Sequence, residues 1–164
     1  GEWKGVSIHH AGWMVAAFEI SGIVGMLVAG WATDRFFGGR GPRVCVICMA
    51  LATVFVALFW GISQPPMWLA TLLLGAAGFC IYGPQALVGI AAANIATKKA
   101  AATAVGFTGL FGYASTLVSG WGLGLLAQYY GWNIAVGALI LIAIMGTLVF
   151  MAAWSAKANG YDND

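Results

Sequence analysis

The sequence predicts an all-α membrane protein with five transmembrane helices. Of its 164 residues, 62% are apolar and only 7% are charged, whereas a soluble domain has charged residues at roughly 25% of its positions. So few charges cannot cover the surface of a water-soluble globule, and so much apolar surface excludes a disordered chain. The apolar residues form long stretches without sustained period-2 alternation, which favours helices over the strands of a membrane barrel.

Five apolar stretches alternate with short polar or turn-rich segments. Each stretch has about 19 to 26 residues, which at a rise of ~1.5 Å per residue can cross a bilayer core of ~30 Å. The predicted spans run approximately over Ala11–Thr33, Val44–Ile62, Trp68–Ala93, Ala102–Leu126 and Trp132–Trp154.

Lysine and arginine predict the orientation of these spans. The connections after the first and third spans and the C-terminal tail are basic, whereas Gly61–Pro66 and Ala127–Asn133 contain no Lys or Arg. Because cytoplasmic loops are enriched in these residues, the C-terminus is predicted to be cytoplasmic and the N-terminal segment to lie outside. An odd number of spans and a first residue other than Met lead us to expect a further span upstream. The residues predicted to lie on the cytoplasmic side are Arg35, Arg40, Arg43, Lys98, Lys99 and Lys157.

The first span contains an ionisable residue, Glu19, eight residues from its predicted start. A carboxylate ~12 Å along the span costs several kcal/mol unless it is paired, protonated or in contact with water. One interpretation is a side chain that faces a solute or proton pathway, since intramembrane ionisable groups are commonly functional. The alternatives are a protonated Glu that hydrogen-bonds to another helix, or a shallower position near the outer interface.

The connection after the first span, TDRFFGGRGPR (Thr33–Arg43), contains a candidate gating loop. A carboxylate near the N-terminus of the next helix would be stabilised by the helix dipole, and arginines could hold it there. Asp34, Arg35 and Arg40 could therefore form a cytoplasmic latch between two transport states. The alternative, which composition alone favours, is that the arginines anchor the loop and the glycines form a turn.

The third span contains Tyr82, Pro84 and Gln85. Proline removes one backbone donor and frees the carbonyl of Cys80, so a kink is predicted in the middle of the span. Tyr82 and Gln85 would then lie near a bent, partly polar helix that suits a binding cavity. The alternative is that Pro84 is one of the many prolines tolerated in membrane helices, and that Tyr82 packs without touching a solute.

In the fourth span, three glycines recur at every third position, with Thr108 and Tyr113 beside them. Such a stripe allows a neighbouring helix backbone to approach closely, and it is expected to be an exposed face if the neighbour is missing. It is not a nucleotide-binding motif, because it follows no strand and lies within a membrane span. The three glycines are Gly106, Gly109 and Gly112.

The remaining motifs indicate no cofactor, metal or nucleic-acid site. Cys45 and Cys48 have the spacing of a CxxC motif, but no further Cys or His cluster accompanies them, so they are interpreted as packing residues. The net charge of +2 comes from basic residues that occur singly or in pairs, which is not a nucleic-acid-binding pattern. No Ser-His-Asp or paired-carboxylate arrangement predicts an enzyme.

Two segments resemble the organophosphate:phosphate antiporter family of the major facilitator superfamily. GWATDRFFGGRGPR (Gly30–Arg43) is similar to the cytoplasmic loop signature of the superfamily. FCIYGPQALVGIAAANIATKKAAATAVGFTGLFGY (Phe79–Tyr113) resembles the family itself, with a Tyr-Gly-Pro helix, a Lys-Lys-Ala connection and a following glycine-rich helix. The resemblance covers about Trp13 to Trp154, and it implies that residues 1–164 are the C-terminal part of a twelve-span transporter, spans eight through twelve.

The resemblance also implies a site and a mechanism. Glu19 matches a cavity glutamate of the glycerol-3-phosphate members, and Tyr82 and Tyr113 match tyrosines near the cavity. Val105 and Thr108 replace an acid and a lysine of the hexose-phosphate members, which favours the glycerol-3-phosphate or phosphoglycerate branch, whereas Pro84-Gln85 matches the hexose-phosphate side. The residues expected to line the cavity are Glu19, Tyr82, Gln85, Thr108 and Tyr113.

The implied activity is exchange of a phosphate ester for inorganic phosphate across the cell (inner) membrane by alternating access. The family binds phosphate with arginines of spans one and seven and a histidine of span five, none of which this chain contains, so the implied partner is a missing N-terminal half. The alternative function is a transporter-like sensor of an external sugar phosphate. A membrane acyltransferase would need a reactive residue beside an anion site, which Lys98 and Lys99 alone do not supply.

Overall fold

The computed structural model describes residues 8–96 and 99–155, and within these ranges the chain forms five α-helices. All five are long and apolar enough to cross a membrane, and each predicted span coincides largely with one of them. The predicted all-α fold with five transmembrane helices is confirmed. The helices are α1 (Ile8–Phe36), α2 (Gly41–Gly61), α3 (Met67–Ile95), α4 (Ala101–Tyr130) and α5 (Trp132–Ala152).

The helices have two lengths. α2 and α5 have 21 residues each, close to the thickness of the bilayer core, whereas α1 and α3 have 29 and α4 has 30. At ~1.5 Å per residue the long helices reach roughly 45 Å, so they tilt or extend into the interfaces. Counting only apolar residues therefore predicted spans that are shorter than α1, α3 and α4.

α3 is the central helix of the bundle. It packs against α1, α2 and α4, and α5 closes a ring by packing against α2 and α4. α1 lies against α3 and only touches α2, and within the described residues it makes no contact with α4. The helix runs without interruption through Pro84, so the predicted kink at this residue stays a prediction.

The backbones of α1 and α3 lie in direct contact. A Cβ atom added to Gly25 would overlap the carbonyl oxygen of Phe79, and one added to Gly83 would lie 2.9 Å from the Cβ of Ala29. The hydroxyl of Ser21 also donates to the carbonyl of Gly75, 2.8 Å away. The two helices therefore run parallel with a fixed register, in which small residues allow the close approach.

The glycine stripe of α4, in contrast, is in close contact with no other helix in the described part of the chain. A Cβ atom added to Gly106, Gly109 or Gly112 would have nothing within 4 Å, and no residue of α4 is buried. The stripe is thus an open face, as expected for a glycine face whose neighbour is missing. The close backbone approach is found on α1 and α3 instead.

The turn between α1 and α2 depends on two glycines. Gly38 and Gly39 adopt φ angles of 57° and 76°, in the left-handed region that glycine populates at little cost. The amide groups of Phe37 and Gly39 donate to the carbonyl of Thr33 at 3.3 and 3.1 Å and close the C-terminus of α1. The sequence-based interpretation of these glycines as a turn is confirmed.

Candidate functional site

Two polar side chains form a hydrogen bond near the middle of α1 and α3. In the described structure it is the only bond between side chains in this part of the two helices. The hydroxyl of Tyr82 donates to the carboxylate of Glu19. Glu19 lies eleven residues after the start of α1, or about 17 Å along the helix, and Tyr82 lies fifteen residues after the start of α3. Glu19 is exposed and Tyr82 is half-buried, so the carboxylate is held by one partner and is still accessible from outside the bundle.

Small and aromatic neighbours fix the position of the Tyr82 ring. A Cβ atom on Gly22 would lie 2.7 Å from this ring, so the ring can cross α1 only because residue 22 is glycine. The ring of Phe18 meets it edge-on, with centroids 5.9 Å apart and planes at 73°. The Tyr82 hydroxyl is thereby aimed at Glu19, which lies one turn before Gly22 on α1. The bond links two helices, as one of the alternatives for Glu19 proposed, but here Glu19 accepts the hydrogen bond. That Glu19 faces a solute or proton pathway stays a prediction.

A cleft of about 560 Å³ lies between α3 and α4 and reaches to side chains of α2 and α5. Three residues predicted to line a cavity lie here together: Gln85 from α3, and Thr108 and Tyr113 from α4. The glycines at 109 and 112 make one wall smooth because they have no side chain. The described residues that line the cleft are Met49, Ile81, Pro84, Gln85, Val88, Gly89, Val105, Thr108, Gly109, Gly112, Tyr113, Ser115, Thr116 and Phe150.

The polar side chains among the described residues of this cleft are uncharged. Gln85 supplies an amide, which can both donate and accept, and Tyr113 supplies a phenolic hydroxyl that is 79% exposed. The Thr108 hydroxyl bonds to the carbonyls of Ala104 and Val105 at 3.1 and 2.9 Å. Since no Lys, Arg, His, Asp or Glu is among the described lining residues, this surface can bind hydroxyl or amide groups but cannot neutralise an anion.

The five predicted cavity residues thus form two groups that share α3. Glu19 and Tyr82 form the pair on α1 and α3, and they do not belong to the lining of the cleft that holds Gln85, Thr108 and Tyr113. Tyr82 and Gln85 are three residues apart, so they lie about one turn apart on neighbouring faces of the same helix. α3 therefore carries both Tyr82, which binds Glu19, and Gln85, which lines the cleft.

Two hydroxyl residues of the cleft, Ser115 and Thr116, were not predicted. A signal for them existed, because they follow Gly112 at the i+3 and i+4 positions and so share its helix face. Met49 and Phe150 were not predicted either, since their contribution depends on how α2 and α5 pack and no local pattern indicates it.

The predicted gating residues lie where α1 ends and α2 begins. Asp34 and Arg35 are in the last turn of α1 and are exposed, and Arg40 immediately precedes α2 and is half-buried. None of the three forms an ion pair with another residue of the described segments. Of the other basic residues that supported the orientation, Lys98 and Lys157 lie outside the described residues.

A neighbouring arginine ties α2 to α5. The guanidinium of Arg43 donates to the backbone carbonyl of Trp154 at 3.4 Å and lies 5.4 Å from the centroid of its ring. At the other end of α2, the indole of Trp60 donates to the side-chain oxygen of Asn133 at 3.3 Å. Both ends of α2 are therefore linked to α5, which closes the ring of helices around the cleft.

Comparison with known proteins places this architecture among transporters. The chain is 38% identical over 156 residues to a probable hexose phosphate transport protein of Chlamydia pneumoniae, with 94% of this chain and 34% of that protein aligned. It is 33% identical over 177 residues to a glycerol-3-phosphate transporter of Haemophilus influenzae, with 96% of this chain and 37% of that protein aligned. It is also 36% identical over 142 residues to the hexose-6-phosphate:phosphate antiporter of Escherichia coli, with 82% of this chain and 30% of that protein aligned.

The chain therefore spans about one third of the length of the curated relatives it matches. The family model of the Major Facilitator Superfamily matches residues 4–160, nearly all of this chain, which confirms the resemblance seen in the loop signature. Five helices able to cross a membrane and a match of this extent lead to one conclusion: the chain is a multi-pass membrane protein that belongs to the major facilitator superfamily.

Proposed function

We propose that the complete gene product exchanges a phosphate ester, such as a hexose phosphate, glycerol-3-phosphate or phosphoglycerate, for inorganic phosphate. The observation that supports this most directly is the pairing of Glu19 with Tyr82 halfway along two membrane helices, next to an uncharged polar cleft on the same central helix. Intramembrane ionisable groups commonly mark substrate or proton pathways. Relatives named as transporters of hexose phosphate and of glycerol-3-phosphate support the substrate class.

In this proposal the described helices bind the organic part of the substrate. The hydroxyl and amide groups of Gln85, Thr108 and Tyr113 suit the alcohol groups of a sugar or glycerol, which both donate and accept hydrogen bonds. A phosphate dianion requires a cation, and the described lining of the cleft contains none. We therefore propose that a second half of the transporter faces this one and supplies the positive charge, with substrate bound between the halves near the midplane.

The loop between α1 and α2 is proposed to act at the cytoplasmic face, with the C-terminus on the same side. Asp34, Arg35 and Arg40 are exposed or half-buried and form no ion pair with each other or with other described residues. In this proposal they pair with groups of another part of the transporter in one transport state and separate in the other. The exchange cycle then alternates between the two states.

The test is a counterflow measurement on the complete gene product in proteoliposomes. Vesicles loaded with inorganic phosphate are expected to accumulate radiolabelled glucose 6-phosphate, glycerol 3-phosphate or 3-phosphoglycerate well above equilibrium. Vesicles without internal phosphate serve as the control and are expected to take up only the equilibrium amount. Binding of an ester without any counterflow would contradict the proposal and favour a membrane sensor of sugar phosphate.

A further inference from the structure

We propose that Ser115 and Thr116 of α4 bind the hydroxyl groups of the ester's organic part and thereby distinguish the ester from inorganic phosphate. This inference rests on the proposed exchange function. Neither residue matches a position that the family resemblance assigns to the cavity, and both line the cleft between α3 and α4.

The two hydroxyl groups are held in fixed directions by one carbonyl. Ser115 and Thr116 both donate to the backbone oxygen of Gly112, at 2.7 and 3.0 Å. A hydroxyl that has given its single proton to the backbone keeps two lone pairs as acceptors. These residues therefore present oriented acceptors to the cleft at no further cost in side-chain freedom.

Oriented acceptors favour a substrate that brings its own donors. The alcohol groups of a sugar or glycerol phosphate can donate to Ser115 and Thr116, whereas the oxygens of a phosphate dianion are mainly acceptors and would be repelled. The absence of a charged side chain from the described lining reinforces this preference. Gly109 and Gly112 leave space beside the hydroxyls, since added Cβ atoms there would meet nothing within 4 Å.

The experiment compares two exchange reactions of the same protein. In proteoliposomes of the complete gene product, the double variant Ser115→Ala/Thr116→Val is expected to raise the KM for the exchanged ester about tenfold. Its inorganic phosphate self-exchange is expected to stay within about twofold of wild type. Thr116→Val preserves side-chain shape, so a selective effect reports the lost hydroxyl and not a cavity.

Ser119→Ala is the matched control. The hydroxyl of Ser119 also bonds to a backbone carbonyl of α4, that of Thr116 at 3.2 Å, but Ser119 does not belong to the lining of the cleft. Both exchange reactions of Ser119→Ala are expected to match those of wild type. The two single variants, each expected to raise the ester KM about threefold, provide the same test if the double variant does not accumulate in the membrane.

Three other results would overturn the inference. An unchanged ester KM in the double variant would mean that the hydroxyls do not touch the substrate. Equal losses of ester exchange and phosphate self-exchange would indicate a structural role for α4 and not recognition. If the wild-type protein lacks phosphate self-exchange and ester exchange altogether, the proposed function itself is wrong, and this inference is wrong with it.

Discussion

The variant Glu19→Gln is expected to slow ester-for-phosphate exchange at least about tenfold while the protein stays folded. The amide oxygen of glutamine can still accept the hydrogen bond from Tyr82, so contact between α1 and α3 is preserved. What the substitution removes is the ionisable group in the middle of the membrane. The measurement is the initial rate of counterflow in proteoliposomes that contain equal amounts of each variant.

Tyr82→Phe is the companion variant, because it keeps the ring and removes only the hydroxyl. Its contacts with Phe18 and Gly22 are retained, so Glu19 is left without its observed partner but keeps its carboxyl group. We expect a smaller reduction in rate, about threefold, since Glu19 is exposed and water of the proposed substrate pathway can replace the lost bond. A wild-type rate for Glu19→Gln would contradict a role in transport and would leave Glu19 as a hydrogen-bond partner between helices.

The second large effect concerns stability. Gly25→Ala is expected to destabilise the bundle by about 3 kcal/mol, because the added methyl group would overlap the carbonyl oxygen of Phe79. The obstacle is backbone, which cannot rotate away, so the two helices must separate and lose the contacts at Gly83 and Gly75. The expected readout is a lower midpoint of thermal unfolding for the detergent-solubilised protein and less protein in the membrane.

Gly30→Ala is the matched control for this prediction. Gly30 lies on the same helix with helical geometry, and an added Cβ atom would meet nothing within 4 Å. Since alanine has a higher helix propensity than glycine, Gly30→Ala is expected to leave the unfolding midpoint unchanged or slightly higher. Equal midpoints for the two variants would contradict the close packing of α1 against α3.

The sequence was sufficient to predict the number and type of helices. A long apolar stretch that crosses a bilayer must satisfy its backbone hydrogen bonds without water, and an α-helix does so within the stretch itself. It was not sufficient to predict which glycine faces acquire a neighbour. Gly106, Gly109 and Gly112 are more regularly spaced than the glycines of α1 and α3. Their helix face is nevertheless open, whereas the glycine faces of α1 and α3 are closely packed. The difference depends on which helices become adjacent, and no local pattern encodes that.

The same limit applies to the site. Glu19 could be predicted as a site residue because burying an ionisable group in the bilayer costs free energy. Tyr82 and Gln85 could be predicted because they flank Pro84 in a polar part of the third span. Their pairing could not be predicted, because it depends on the register of α1 against α3, which the small residues at 21, 25 and 29 set through contacts with residues 75, 79 and 83. The cleft required, in addition, the positions of α2 and α5, which contribute Met49 and Phe150.

Thiol labelling can show whether α3 and α4 form a wall of the substrate pathway. Thr108→Cys is introduced into the complete gene product after every native cysteine, including Cys45, Cys48 and Cys80, is replaced by alanine, and a membrane-impermeant maleimide is applied to proteoliposomes. A saturating amount of the exchanged ester is expected to slow labelling about tenfold. Ser63→Cys, on the exposed connection between α2 and α3, should label equally with and without ester. Equal labelling rates at Thr108→Cys in the presence and absence of ester would mean that α3 and α4 do not line the substrate pathway.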